Sequence, residues 1–475
     1  MQREHSIING TRKIITTVLT QFLILVLSVV TGFILPVKMG PEAYGYFQVY
    51  VFYLAYINLA GLGYNDGLNL FYAGYEYTKL PFARLRSAIR FFCGYLAVLT
   101  VIVFIGMRVV DDWQYRQIYQ ILAVNIPLVC LQCVLLSLFL SVNHTGIYNI
   151  INLLTKVLST AFILALVIFG IIFPTYIMLA DTLSKMIMLI ICIFLARRLF
   201  IGKGAGYRLG VAEFSEKSKA GIKLTLAIIA SSFIPVAGRI IIQWNESIEV
   251  YGMYSFAITL LMIIISFTSA AGTVVFPLIK RLSADKLTAY YPNISLLCDT
   301  LIYLAFLVYI PLVFIIQTYM VQYIPVLQYL YILMAMCLPL GRMQLLITPY
   351  YKLMRMEKSF LLANGIGMAI MLVVTAITYW LFQSVVAVAW CTTIVLFLWT
   401  VFTELYLVRQ LKYSYNLKRP LIEFSMMLAF IIAGCFKSII WFTGIYVCVL
   451  IIYLFISRKQ IKELLFHLSI GNYQA

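Results

Sequence analysis

Runs of about twenty apolar residues recur along almost the whole of this chain, each long enough to cross a roughly 30 Å hydrocarbon core as a helix. Inside such a core the backbone polar groups must bond to one another, so only helices or a closed barrel are possible. The runs lack the period-two alternation of strands and therefore predict membrane-spanning helices. Apolar residues make up 63% of the sequence, which exceeds the usual share in a soluble domain.

The basic residues predict how these helices are oriented. Most of the 35 Lys and Arg residues lie in alternate connections between the apolar runs, and such connections are normally cytoplasmic. Both termini are therefore predicted to lie in the cytoplasm. This arrangement accounts for the net charge of +18 through contact with anionic lipid headgroups, so we predict no nucleic-acid partner. The opposite loops are short and leave no room for an external catalytic domain, so we predict that the protein is not an enzyme.

A short motif occurs twice in the sequence. Glu42–Phe47 reads EAYGYF, and Glu249–Tyr254 reads EVYGMY. A proline-containing tripeptide, LPV at 35–37 and IPV at 234–236, lies upstream of each copy. An internal repeat of this kind predicts two similar helical lobes, with a substrate path where they meet.

The spacing of the apolar runs then gives a domain plan for an all-α polytopic membrane protein. We predict about fourteen spans, six in each of two pseudo-symmetric lobes and two more at the C-terminal end. The N-terminal lobe comprises residues 1–196 and the C-terminal lobe residues 221–408. A basic cytoplasmic linker, residues 197–220, joins the lobes, and residues 409–475 hold spans thirteen and fourteen and a cytoplasmic tail.

The segment VKMGPEAYGYF, together with the glycine-rich NLAGLGYNDGLN that follows it, resembles the N-terminal signature of a known family. This family is the Wzx-type polysaccharide and O-antigen flippases of the multidrug/oligosaccharidyl-lipid/polysaccharide (MOP) exporter superfamily. Relatives often carry an acidic residue before the arginine of span seven, where this chain has Gly238.

The resemblance implies a V-shaped bundle like that of the multidrug exporters in this superfamily. It implies alternating access that moves undecaprenyl-pyrophosphate-linked oligosaccharide units across the bacterial inner membrane, for O-antigen, capsule or exopolysaccharide synthesis. It also implies contact with membrane lipids and, as protein partners, a polysaccharide polymerase and chain-length proteins.

Cations within or beside the apolar spans are the first candidate substrate-binding residues, because a pyrophosphate headgroup is anionic. Arg239 lies in span seven and Arg342 in span ten; Lys38 lies at the first turn and Lys185 in span six. A charge inside a span costs about 2.5–3.5 kcal/mol on insertion scales, and Arg offers a fork of donors suited to phosphate. The alternatives are snorkelling or anchoring at the membrane surface and, for Lys185, a neutralising pair with Asp181 one turn away.

Polar side chains on the first two spans form the second group. Gln21 and Ser28 lie on one face of span one and are predicted to line the cavity, with helix–helix hydrogen bonding as the alternative. On span two and at its end, Asn58, Asn65 and Asn69 are predicted to contact sugar hydroxyls.

Carboxylates in or near the spans form the third group, Asp66, Asp181, Asp299 and Glu404. They are candidates for binding a coupling proton or sodium ion, although carboxylates near helix ends also commonly reach water or a nearby Lys. No other cofactor and no metal site is predicted, because the three histidines are scattered along the sequence.

The same residues bear on four alternative functions: an antiporter, a peptidoglycan-precursor flippase, an acyltransferase and a structural protein. A multidrug or cation antiporter of the same superfamily would need buried carboxylates for a cationic substrate, whereas the buried outer charge here is mainly basic. A peptidoglycan-precursor flippase moves a substrate of the same chemistry, and the sequence does not separate it from the first reading. An embedded acyltransferase would need a histidine within the membrane, and a purely structural protein would leave the buried charges unexplained.

Overall fold

The computed structural model describes residues 2–280, 284–354, 356–411, 413, 418–436 and 439–471, with side chains described from residue 15 onward except at 267–290, 357, 418, 439, 459 and 461–471. Within these ranges the chain is helical almost throughout and contains no strand. The predicted all-α class is confirmed.

The chain divides into two compact units. The first unit comprises Met1–Ser231 and Ile248–Gly252, and the second comprises Ser232–Ser247 and Met253–Ala475. The helices that begin in the first unit, apart from the one containing Ile248–Gly252, are α1 (Gln2–Leu54), α2 (Tyr64–Tyr72), α3 (Phe82–Gly106), α4 (Trp113–Ser141), α5 (Thr145–Ile168), α6 (Pro174–Leu195) and α7 (Tyr207–Phe233).

The remaining helices are mostly or wholly in the second unit. They are α8 (Ala237–Asn245), α9 (Ile248–Lys280), α10 (Ala284–Ala305), α11 (Tyr309–Tyr319), α12 (Leu327–Met334), α13 (Cys337–Arg342), α14 (Thr348–Leu353), α15 (Glu357–Phe382), α16 (Val385–Gln410), α17 (Lys418–Cys435) and α18 (Ile439–Gly471).

The number of membrane spans differs from the predicted fourteen. Eleven helices of the described residues are long and apolar enough to cross a membrane, or twelve if the bent pair Val321–Met334 and Cys337–Leu353 is one span. Predicted spans one and two merge into one continuous element, Ile15–Gly61. Predicted span thirteen corresponds to α17, which is not among the candidates; it contains buried Glu423 and begins with two cations.

The polar turn predicted between spans one and two is present as a kink inside α1. Gly40 has φ 75° and ψ 167°, a conformation outside the helical region, and Pro36 and Pro41 flank it. Proline removes a helical hydrogen bond, and glycine adopts positive φ without steric cost. The helical axis therefore breaks here although the element is continuous.

The two copies of the repeated motif lie against each other. A Cβ atom on Gly252 would be 2.1 Å from the Pro41 carbonyl oxygen and 3.0 Å from the Gly45 Cα atom. A Cβ atom on Gly45 would be 2.2 Å from the Ile248 carbonyl oxygen. Small residues let helix backbones approach closely, so both glycines of the repeat are required by one helix contact within the first unit.

The predicted linker, residues 197–220, lies within the first unit, which continues to Ser231. Its helix, α7, packs against α2 through glycines. A Cβ atom on Gly67 would be 2.0 Å from the Lys217 carbonyl oxygen, and one on Gly221 would be 2.0 Å from the Gly63 carbonyl oxygen. The glycine-rich end of predicted span two is thus explained by close backbone contact with α7.

Candidate substrate-binding site

Arg239 is a buried cation without a buried counterion. It lies on α8, directly after a short 3₁₀ turn around Pro235, and its side chain is 7% exposed. Its Nη2 atom donates to the Ser255 carbonyl oxygen at 2.8 Å and lies 3.5 Å from Thr259 Oγ1, while its Nε atom has no hydrogen-bond partner. No carboxylate of the described residues forms an ion pair with it. This guanidinium group therefore keeps donor capacity for an anion.

This chain has Gly238 where the resemblance leads one to expect an acidic residue, and a side chain at this position would meet close neighbours. A Cβ atom on Gly238 would be 2.5 Å from the Tyr254 hydroxyl oxygen and 3.1 Å from Val388 Cγ1. Tyr254 is itself 1% exposed. A side chain at position 238 would therefore require Tyr254 to move.

The first unit contains a second polar cluster, in which Lys185 is paired. Lys185 forms an ion pair with Asp181 on the same face of α6, which agrees with the pairing weighed from their spacing. The Tyr50 hydroxyl donates to Asp181 Oδ2 at 2.7 Å, and the Ser159 hydroxyl donates to Oδ1 at 2.7 Å. Asp181 is thus held by three side chains and is poorly placed to bind a coupling ion in this conformation.

Lys156 is a cation that sequence analysis missed. It lies on α5 within electrostatic reach of Asp181 and Lys185, and no carboxylate of the described residues makes an ion pair with it. Two lysines therefore face one aspartate, which leaves this cluster with a net positive charge when all three groups are ionised. The signal that identifies Arg239, a cation within an apolar run, is also present here.

Arg342, the other predicted arginine, is fully neutralised. It is 1% exposed and forms ion pairs with Asp299, Glu404 and Glu423. A five-residue π-helix, Met343–Ile347, follows it directly; such irregular turns are frequent at functional sites. Glu423, on α17, was not predicted as a site residue.

The remaining candidates on α1 and just after it show no shared site. Lys38 and Gln21 are exposed, and the Ser28 hydroxyl donates to the Ile24 carbonyl oxygen of its own helix at 2.8 Å. Asn58 is partly buried, and its Oδ1 atom has no hydrogen-bond partner. The structure does not bring these residues together.

The polar residues of α2 serve mainly its contacts with neighbouring helices. Asn65 donates to Asp66 Oδ1 at 3.2 Å, and the Thr225 hydroxyl of α7 donates to Asp66 Oδ2. Asn69 accepts a hydrogen bond of 2.8 Å from the Ser141 hydroxyl of α4. Asn65 Oδ1 is buried and has no hydrogen-bond partner, and contact of these residues with sugar hydroxyls stays a prediction.

Comparison with known proteins places the chain in a family. It belongs to the family described as polysaccharide biosynthesis protein, which matches residues 11–283. This agrees with the recognition made from the motifs around Gly45, and the matched residues include both copies of the repeat. No curated protein sequence matches the chain.

Solved structures show the same fold. The lipid II flippase MurJ, in an inward closed conformation, is 14% identical, with 94% of this chain and 99% of that chain covered and a TM-score of 0.66. An inward-facing multidrug resistance MATE family transporter of the MOP superfamily is 12% identical, with 85% of this chain and 100% of that chain covered and a TM-score of 0.56. The chain is a multi-pass membrane protein with the fold of MOP transporters.

Proposed function

We propose that this protein is a flippase that moves undecaprenyl-pyrophosphate-linked oligosaccharide units from the inner to the outer leaflet of the bacterial inner membrane. Arg239 is the observation that carries the proposal. It is a permanently charged group within a membrane-spanning helix, 7% exposed and without a carboxylate partner among the described residues. Burying an unpaired cation is costly, and a pyrophosphate is an anion that a guanidinium fork matches.

The positive cluster of the first unit supports the same substrate charge. Lys156 and Lys185 together exceed the single carboxylate of Asp181, so the polar interior of this unit favours an anion. The family, described as polysaccharide biosynthesis protein, supports a saccharide as part of the substrate. In this proposal the headgroup passes these cations by alternating access while the polyprenyl chain stays in lipid. A polysaccharide polymerase and chain-length proteins are then its partners on the outer side.

A peptidoglycan-precursor flippase is the second candidate. The fold is shared at a TM-score of 0.66 with a lipid II flippase, and a lipid-linked pyrophosphate would meet Arg239 in the same way. A cation antiporter is less well supported, because the four candidate carboxylates are each bonded within the protein. Asp181 pairs with Lys185, Asp299 and Glu404 pair with Arg342, and Asp66 accepts from Thr225.

The test is deletion of the gene, with analysis of surface polysaccharide and lipid-linked intermediates. We expect the surface polysaccharide to disappear while undecaprenyl-linked units accumulate on the cytoplasmic leaflet. Accumulation of peptidoglycan precursor would favour the second candidate. Unchanged polysaccharide with increased susceptibility to cationic drugs would overturn the proposal in favour of an antiporter.

Complementation with arginine variants separates binding from folding. Arg239→Ala should reach the membrane in normal amounts and fail to restore surface polysaccharide, and Arg239→Lys should restore part of it. Arg342→Ala should instead lower the amount of folded protein, because breaking a buried ion pair costs about 3–5 kcal/mol. Arg108→Ala, at an exposed arginine, is the matched control. Full complementation by Arg239→Ala would remove Arg239 from the mechanism.

A further inference from the structure

Among the residues whose side chains the structure describes, a buried cluster of charges in the second unit has more carboxylates than cations. Asp299, Glu404 and Glu423 are 4%, 0% and 2% exposed, and they surround Arg342. Arg419 adds a second cation, with its Nε atom 3.8 Å from Asp299 Oδ2. Three carboxylates and two guanidinium groups leave one negative charge when all five are ionised. A buried excess of charge is costly, and taking up one cation relieves it.

Glu404 and Asp299 each have an oxygen that is hydrogen-bonded to Arg342. Glu404 Oε1 accepts hydrogen bonds from Arg342 Nη2 and from the Tyr291 hydroxyl, the latter at 2.6 Å. Asp299 accepts from Arg342 Nη1 and has Arg419 on its other side. Hydrogen bonds and nearby cations favour the charged form of a carboxyl group.

Glu423 differs from Glu404, in which Oε2 has no hydrogen-bond partner but Oε1 accepts two hydrogen bonds. Its Oε1 atom lies 2.8 Å from Arg342 Nη1, but the geometry forms no hydrogen bond, and this buried atom has no hydrogen-bond partner. The same Nη1 atom is already bonded to Asp299. Protonation of the Glu423 carboxyl group would remove the excess negative charge of the buried cluster.

Glu423 also has access to a cavity. A cavity of about 420 Å³ is lined by Glu423, Asp299 and Arg419, together with the polar Ser457 and Gln460 of α18. The volume is ample for several waters, and the polar lining supplies partners for them. Water in this cavity offers a route by which a proton can reach and leave the Glu423 carboxyl group.

The geometry suits a proton better than a metal ion. No group of three or more His, Cys, Asp or Glu side chains that could hold a metal is found among the described residues. In this cluster Asp299 and Glu404 each accept a hydrogen bond from Arg342. The guanidinium group of Arg342 would repel a metal ion placed between these carboxylates. A proton needs only one free carboxyl oxygen.

We propose that Glu423 is a proton-binding residue of the second unit, loaded from the cavity between α10, α17 and α18. In the step, one O–H bond forms on the Glu423 carboxylate as a hydronium ion of the cavity loses its proton and becomes water. Release is the reverse, and no redox partner is needed. That the proton is the coupling ion of transport rests on the proposed function; that Glu423 binds it does not.

Charged and titratable groups from six helices lie in or beside this cluster. They are Asp299, Tyr291, Tyr303 and Cys298 on α10, Arg342 on α13, Tyr350 on α14, Glu404 on α16, Tyr413 after α16, Arg419 on α17 and Tyr453 on α18. Of these only the two arginines are cations, so the charge excess is a property of the whole cluster.

The test is infrared difference spectroscopy of the purified full-length protein as pH is varied in potassium buffer. We expect the C=O stretching band of a protonated carboxylic acid at neutral pH, disappearing as pH rises. Glu423→Gln should remove this band, whereas Glu76→Gln, at an exposed carboxylate paired with Lys79, should leave it unchanged. Thermal stability of each variant is measured alongside to confirm that it is folded.

A second variant tests the charge argument in the opposite direction. Arg419→Gln removes a cation from the edge of the cluster, so the band should persist to higher pH than in the wild type. The proposal is overturned if the wild type shows no such band, if the band survives in Glu423→Gln, or if Arg419→Gln moves its midpoint to lower pH. Loss of the band on replacing potassium by sodium at constant ionic strength would also overturn it, in favour of a sodium ion.

These outcomes do not depend on transport. If the infrared spectra lack the expected band, the proposed proton site is wrong, but the proposed flippase function is unaffected. Failure of the deletion experiment would remove the flippase proposal and leave the proton site standing.

Discussion

At the scale of single residues, neighbours decide which buried charges remain available. Arg239 and Arg342 look alike in the sequence, because each is an arginine within an apolar span. Arg342 faces three carboxylates, whereas no carboxylate of the described residues forms an ion pair with Arg239. The arginine without a carboxylate partner is the better candidate for binding an anion.

The burial of Asp66 predicts that the free energy of unfolding of the protein depends on pH, which can be tested without a transport assay. It lies on α2, outside the candidate spans. Burial raises the pKa of its carboxyl group, and the hydrogen bond from Thr225 opposes this effect only in part. Because the folded-state pKa lies above the unfolded value of about 3.9, the folded protein binds this proton more tightly. The stabilisation is therefore present in acid and is lost as pH rises from about 3.9 through the folded-state pKa.

Asp66→Asn should remove this part of the pH dependence and raise Tm relative to the wild type at neutral pH. The measurement is thermal unfolding in detergent across the acidic range. Asp111→Asn, at an exposed carboxylate, is the control and should follow the wild-type profile. An Asp66→Asn profile parallel to that of the wild type would show that Asp66 does not contribute.

At the scale of helices, glycines determine which backbones can touch. Gly67 and Gly221 bring α2 and α7 into backbone contact, and the Tyr72 hydroxyl donates to Glu213 across the same interface at 2.6 Å. Lys217, 6% exposed, lies 3.8 Å from the centroid of the Phe71 ring. These contacts hold the first part of α7 in the first unit.

Gly67→Ala should destabilise the protein, because the added Cβ atom would be 2.0 Å from the Lys217 carbonyl oxygen. Overpacking of this kind typically costs about 1–3 kcal/mol, and we expect a lower Tm in detergent. Gly94→Ala is the matched control in α3, where no atom lies within 4 Å of the new Cβ and alanine favours the helix. Equal Tm values for the two variants would contradict close contact between α2 and α7.

At the scale of the whole molecule, the distribution of basic residues predicts the orientation in the membrane. Reporter fusions after Lys203 and at the C-terminus should give fluorescent protein activity and no alkaline phosphatase activity, because both positions are predicted to be cytoplasmic. A fusion after Asp111 should give the opposite pattern. Alkaline phosphatase activity of the fusion after Lys203 would contradict the predicted topology.

Much of the fold was predictable because it depends on local sequence. Apolar runs of membrane length predict helices whatever surrounds them, and the turn around Gly40 and Pro41 breaks α1 where expected. The span count was less predictable. A helix that continues through a kink, such as Ile15–Gly61, is one element in the structure. The apolar runs on either side of the kink predict two spans.

The sequence by itself determined the helical class, the repeat around Gly45 and Gly252, and which residues carry charge within the spans. Only the tertiary structure decided what those charges face. Pairing depends on side chains far apart in the chain, such as Arg342 with Asp299 and Glu404, and no local pattern records that distance. The same holds for the glycines of α2, whose requirement becomes visible only when the backbone of α7 lies against them.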